Sequence, residues 1–173
     1  HGEIIGFGKQ KQRFDQWQYK TSVGIKGNSC DVYDFSVYSI VRYFELCRQN
    51  NPNMLDSLFT NNDCVLYADS IGNVIRANRR LFLSKQVHLR FTAYAKSQLH
   101  KIEFKNPVGK RAEVVGRHGY DVKFAYHGIR LLDEAEQMLA TGDCDLRRAD
   151  EDMKAIRRGD WALDELKLRA AEL

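Results

Sequence analysis

From Tyr120 to Ala140 the chain runs without a proline. Within that run Val122, Tyr126, Ile129, Leu132 and Leu139 recur at the three-, four- and seven-residue spacings that gather side chains on one face of a helix. One long helix is therefore expected, ended by Gly142, the residue type best suited to the left-handed turn after a helix. Into this apolar pattern the same segment sets Lys123, His127 and Arg130 at i, i+4 and i+7, so the three project from one side. Two cations and an imidazole in one stripe are donors suited to phosphate oxygens. A merely solvated helix face would show the same charges, but Tyr126 and Ile129 flank the stripe and favour a half-buried surface.

The rest of the composition sets loose bounds. A chain of 173 residues is about one domain. With 43% hydrophobic and 29% charged residues and only two prolines, it reads as an ordinary globular chain rather than a disordered one. The net charge of +4, from 27 basic against 23 acidic residues, permits phosphate-bearing ligands without requiring nucleic acid. Cys30, Cys47, Cys64 and Cys144 are unevenly spaced with no C-x-x-C, which points neither to zinc nor to a disulfide framework, and a reducing cytoplasm is the expected setting. No apolar run reaches the ~20 residues of a membrane helix, so no membrane partner is expected.

Short strands are expected at Glu3–Phe7 and Gln16–Val23, and the alternation over Cys30–Val37 has the period of a strand. Val37, Ile40, Val41, Phe44 and Cys47 then hold helical spacing until Asn50–Asn51–Pro52 stops them. A second apolar turn follows at Met54–Phe59, and Val65–Tyr67 forms a short apolar run. Phe82, Val87, Phe91, Ala95, Leu99 and Ile102 predict one or two helices between Arg79 and Phe104, with Gln98 as a structural residue. Residues Lys105–Gly119, carrying a proline, three glycines and several cations, read as a mobile basic loop. Beyond the long helix, Cys144–Leu146 reads as a short edge strand, Asp150 as the cap of a helix ending at Gly159, and Leu163–Leu173 as a last helix. Trp17 and Trp161 are expected to be packing residues. The fold class is α+β, with a partial α/β core over 1–60 and a helical C-terminal part of the same compact unit over 61–173.

Four stretches carry a resemblance: DFSVYSIVRYFELCRQNNPNMLDSLF, FLSK at Phe82–Lys85, AYAKSQL at Ala93–Leu99 and KFAYHGIRLL at Lys123–Leu132. Taken in order, over roughly residues 30–173, they resemble DNA polymerase beta-type nucleotidyltransferases, in particular those associated with RNA-repair operons and with phages. The resemblance implies a nucleoside triphosphate substrate, two Mg²⁺ ions held by three carboxylates, and transfer of a nucleotidyl group to an acceptor hydroxyl. It places the third of those carboxylates at Asp34. It makes Lys123 and Arg130 contacts to triphosphate oxygens, gives His127 a phosphate or the base, and gives Lys85 and Arg42 weaker family-like positions.

The Gly-Ser turn and D-x-D pair that open such domains are not in this sequence. Gly27-Asn28-Ser29 followed by Asp31 and Asp34 imitates them, but two strand residues three apart face opposite sides and would not chelate one ion together. The missing motif is expected to precede His1. Lys105, Lys110, Arg111 and Arg117 could guide an RNA or DNA acceptor through phosphate contacts, although loops of that composition are commonly only solvated. The competing expectations are a catalytically silent protein that binds nucleotide or nucleic acid, and a transferase whose acceptor is a protein or a small molecule.

Overall fold

A computed structural model describes residues 16–20, 34–105, 107–147 and 150–173. The candidate strand at Glu3–Phe7, the Gly27-Asn28-Ser29 imitation, Asp31 and the front of the Cys30–Val37 strand lie outside the described residues. Those that are described hold two strands and eight α-helices, an α+β chain dominated by helix. The chain divides into two compact units, His1–Gln49 and Asn50–Leu173.

In the first unit, β1 (Gln16–Lys20) pairs antiparallel with β2 (Asp34–Tyr38), Trp17 opposite Val37 and Tyr19 opposite Phe35. The two-residue strand period puts Trp17 and Tyr19 on one face, where their rings stack in parallel with centroids 5.7 Å apart. Trp17 is therefore half exposed and does not serve as the packing residue expected of it; the two aromatics cover each other instead of entering a core. Helix α1 (Ile40–Arg48) begins only after Ser39, whose hydroxyl accepts from the Arg42 amide at 3.2 Å. Val37, which continues the helical spacing in sequence, belongs to β2, because the extended Ser39 backbone intervenes.

The second unit opens on Asn50, fully buried with φ of 52°. Asparagine tolerates this left-handed conformation better than most residues. Its side chain donates to the Phe82 carbonyl and accepts from the Ser84 hydroxyl, so the interruption foreseen at Asn50–Pro52 also anchors a distant turn. Helix α2 (Pro52–Phe59) starts with proline in its first turn, where no amide partner is needed. A 3₁₀ turn at Asn62–Cys64 and the exposed Leu66–Tyr67 lead to α3 (Ser70–Ala77), capped by Asp69, which accepts from the Gly72 amide at 2.7 Å. A 3₁₀ turn at Arg79–Phe82 precedes α4 (Gln86–Phe104).

The expected basic loop is a helix, α5 (Lys110–His118). Its flanking glycines read as loop punctuation, yet they are its boundaries: Gly109 at φ 60° before the first turn and Gly119 at φ 79° after the last, conformations in which a side chain would be strained. Helix α6 (Val122–Thr141) follows, capped by Asp121 and ended by Gly142. Its inward stripe drifts from Ile129 and Leu132 to Met138, leaving Leu139 48% exposed rather than packed. The edge strand expected at Cys144–Leu146 is absent from this described segment. Side chains there take the amides a strand would offer: Asp143 accepts from Cys144, Gln137 from Asp145, and Asp145 from Arg147. Helices α7 (Glu151–Arg158), capped by Asp150, and α8 (Leu163–Glu172) complete the chain.

Helix α6 is the spine of this unit, packed along α4 and touched by α5, α7 and α8. A Cβ placed on Gly128 would come within 3.0 Å of the Leu99 side chain, so the absence of one lets α4 and α6 approach closely. Tyr120, Val122, Ala125, Ile129, Met153, Ile156 and Leu166 form one buried cluster, with Trp161 packed against it and receiving the Tyr120 hydroxyl on its carbonyl at 2.8 Å. No helix among the described residues is long and apolar enough to cross a membrane.

Candidate functional site

Because α4 and α6 lie close and nearly side by side along their length, polar side chains on their shared edge must face one another. A cleft of about 600 Å³ opens there between α4, α5, α6 and α7. Helix α5 presents Arg111, Val114 and His118 to it at i, i+3 and i+7; α6 presents Lys123, His127 and Arg130; α7 presents Arg157. The stripe read in the sequence is thus brought together as expected, and α5 and α7 add cations to it. Of the carboxylates lining the cleft there is Asp121, which is turned to structural use. Its Oδ1 accepts from the Lys123 and Phe124 amides at 3.0 and 3.4 Å, and Oδ2 lies 3.6 Å from Arg111 Nη1.

The charges are held by aromatic rings as well as by ions. Arg111, Lys105 and Lys101 lie 4.8, 5.2 and 5.6 Å from the centre of the Phe124 ring, and Arg157 lies 5.3 Å from that of Tyr126. Each contact is worth roughly 0.5–1 kcal/mol at an exposed site. Together they confine like charges that would otherwise spread apart, which leaves a field suited to an anion.

At its inner end the stripe changes character. The His127 ring meets Tyr94 edge-on with centroids 5.3 Å apart. Arg130 Nη2 donates to His127 Nδ1 at 3.2 Å, which leaves Nε2–H to face the Tyr94 hydroxyl at 3.4 Å. Burial, reinforced by Arg130, Lys101 and Lys123, holds the imidazole below its usual pKa, so it is neutral near pH 7. Arg130 in turn lies 3.6 Å from Asp56 and 3.4 Å from Glu134. Burial raises Glu134 to about 8, with the Asp56 charge adding to the rise and Arg130 opposing it. Asp56 is raised for the same first reason, against the pull of Arg130. One oxygen of each carboxylate is buried with no hydrogen-bond partner, so Arg130 is the main compensation for two desolvated acids.

Of the other sequence candidates in the second unit, only Arg111 lines the cleft. Lys85 precedes the first turn of α4 and is exposed, outside the cleft. Lys110 and Arg117 sit on α5 but do not line the cleft, whereas Arg111, assigned with them to an acceptor surface, does. Arg42, in the first unit, lies 3.5 Å from Glu45. Asp34 is the first described residue of β2, where its Oδ1 accepts from Gln18 Nε2 at 3.4 Å. Among the described residues no group of three or more His, Cys, Asp or Glu side chains is placed to hold a metal ion. Asp34 is one carboxylate, and by itself it does not make a magnesium site.

Three participants escaped the sequence reading. Arg157 sits in a separate short helix, Tyr94 carries no role of its own in the sequence pattern, and Gln98 reads there as structural. For Tyr94 and Gln98 a signal existed: Tyr94, Gln98, Lys101 and Lys105 follow one another at helical spacing along α4. On that stripe Gln98 is buried, Tyr94 and Lys101 are half-buried and Lys105 is exposed.

The site is thus a cleft lined mainly by cations on the helical unit of an α+β chain. The model of the RNA repair pathway DNA polymerase beta family, RlaP, matches residues 19–158. The chain belongs to that family and is therefore a member of the polymerase beta-like nucleotidyltransferases. No curated protein and no solved structure gives a significant match.

Proposed function

We propose that this chain takes part in transferring a nucleoside monophosphate from a nucleoside triphosphate to an acceptor hydroxyl, with an RNA end as the favoured acceptor. The observation that carries the reading is the cleft, where Arg111, Lys123, His127, Arg130 and Arg157 converge in a member of a nucleotidyltransferase family. Lys123 is exposed at its rim and donates to phosphate oxygens as a mobile point charge. Arg111, steadied by Asp121 and Phe124, presents guanidinium N–H groups with little loss of freedom on binding. Neutral His127 offers a proton-bearing Nε2 to the ligand in exchange for Tyr94. Magnesium would supply charge neutralisation to the triphosphate when bound, and Asp34 is proposed as one of its ligands. The exposed Lys105, Lys110 and Arg117 remain the proposed path for an RNA or DNA acceptor backbone.

The test is a titration of ATP, GTP, CTP and UTP with and without Mg²⁺, paired with Asp34→Ala and Lys123→Ala. Asp34→Ala should abolish metal-dependent transfer at an unchanged melting temperature, and Lys123→Ala should chiefly weaken nucleotide binding. Equal losses of stability in both variants, or no nucleotide binding by the parent protein, would sink the assignment.

A further inference from the structure

Gln98 is the residue the cleft does not explain. It lies on α4 between Tyr94 and Lys101, is 4% exposed, and lines the cleft, yet its amide makes no hydrogen bond among the described residues. A glutamine amide carries two N–H donors and a carbonyl acceptor, and here those atoms are not among the fully buried ones, so on a buried residue that lines the cleft they open onto it. The cations around it cannot account for it as an anion-holding residue. Phosphate oxygens could take the amide donors, but the carbonyl oxygen needs a donor on the ligand. Beside it the cleft is walled by Val114, Val122 and Tyr126, surfaces suited to a flat, weakly polar body rather than to a second phosphate.

We propose that Gln98 reads the hydrogen-bonding edge of a nucleobase, seated between α4 and α6, while Lys123, Arg111 and Arg157 hold the phosphates of the same nucleotide. Every residue invoked belongs to the unit Asn50–Leu173. The inference rests on the nucleotide reading of this cleft and adds to it the source of base selectivity. Donor and acceptor groups differ in arrangement among the four bases, so an amide held in place by the α4–α6 packing favours some over others. Removing the amide removes the preference and leaves the phosphate contacts in place.

The experiment compares inorganic tripolyphosphate with ATP, GTP, CTP and UTP, by calorimetric titration of the whole chain and of Gln98→Met, which keeps an unbranched side chain of similar size. The parent protein should bind the four nucleotides with affinities spreading at least about tenfold, which is about 1.4 kcal/mol. In Gln98→Met the spread should collapse to about twofold, with tripolyphosphate affinity unchanged. Gln98→Glu, which keeps the shape but loses the donors, provides a second reading and should reorder the four affinities. Three results would overturn the assignment: a parent protein indifferent to the base, an order preserved in both variants, or equal weakening of all four nucleotides, which would place Gln98 at the ribose. Loss of tripolyphosphate and nucleotide binding alike in the parent protein would instead remove the nucleotide reading beneath it.

Discussion

The two ends of the α6 stripe carry the same charge and have different work. Lys123, near the start of the helix, is exposed at the mouth of the cleft, and the one carboxylate nearby, Asp121, is bound to backbone amides and Arg111. Arg130, two turns on, is half-buried between Asp56 and Glu134. A cation facing solvent is free to meet a ligand, whereas a cation against two desolvated acids is committed to the fold. Spacing in the sequence shows that Lys123, His127 and Arg130 share a side; depth decides which of them can move to a phosphate.

Replacing Arg130 breaks this contrast most severely. Arg130→Ala leaves the Asp56 carboxylate buried without its cation, beside a Glu134 that already holds its proton, and should destabilise the protein by about 3–5 kcal/mol in a denaturant titration. A loss below about 1 kcal/mol would mean that the arginine is as free as Lys123. Next in size, Gly128→Leu should cost about 1–3 kcal/mol through overpacking against Leu99. It should also weaken nucleotide binding, because the cleft depends on the approach of α4 to α6; stability lost with binding intact would separate the two.

Glu134 sharpens the comparison through pH. Its carboxyl is raised from 4.5 to about 8 in the folded protein, so the folded state holds a proton that the unfolded chain releases. Stability from this group is full below about pH 4.5 and declines as pH rises towards about 8. Glu134→Gln should flatten that decline and gain roughly 1 kcal/mol on the parent between pH 5 and 8. Parallel pH profiles for the two proteins would show Glu134 ionised throughout. The smallest stability effect belongs to Lys123→Ala, within about 0.5 kcal/mol of the parent, as expected for an exposed side chain outside any network.

Much of the helical body was legible because its determinants are local. The Asn50–Pro52 break, the Asp150 cap, Gly142 and Gly159 as helix ends, and the apolar spacing of the last helix all act over a few residues. What was not legible depended on contacts far apart in sequence. The α5 segment is polar and glycine-flanked, so its pattern matches a loop until Asp121 and Phe124 are present to receive Arg111. Cys144–Leu146 alternates like a strand, but Asp143, Asp145 and the distant Gln137 redirect its amides. At the site, the cations of one helix were readable from periodicity. That Arg157 would join them, that Asp56 would bind Arg130, and that Gln98 would lie buried beside them are facts of packing, which no spacing rule contains.

The central claim is that the cleft, and not positive charge in general, binds nucleotide. It is tested most directly by measuring nucleoside triphosphate affinity in Lys123→Ala beside Lys85→Ala, two single-charge losses at exposed lysines, one at the cleft and one outside it. The account predicts a loss of about tenfold or more in Lys123→Ala, in line with the ~1.5–3 kcal/mol of a hydrogen bond to a charged group, and a change under about twofold in Lys85→Ala. Equal weakening by both, or weakening by Lys85→Ala alone, would contradict it.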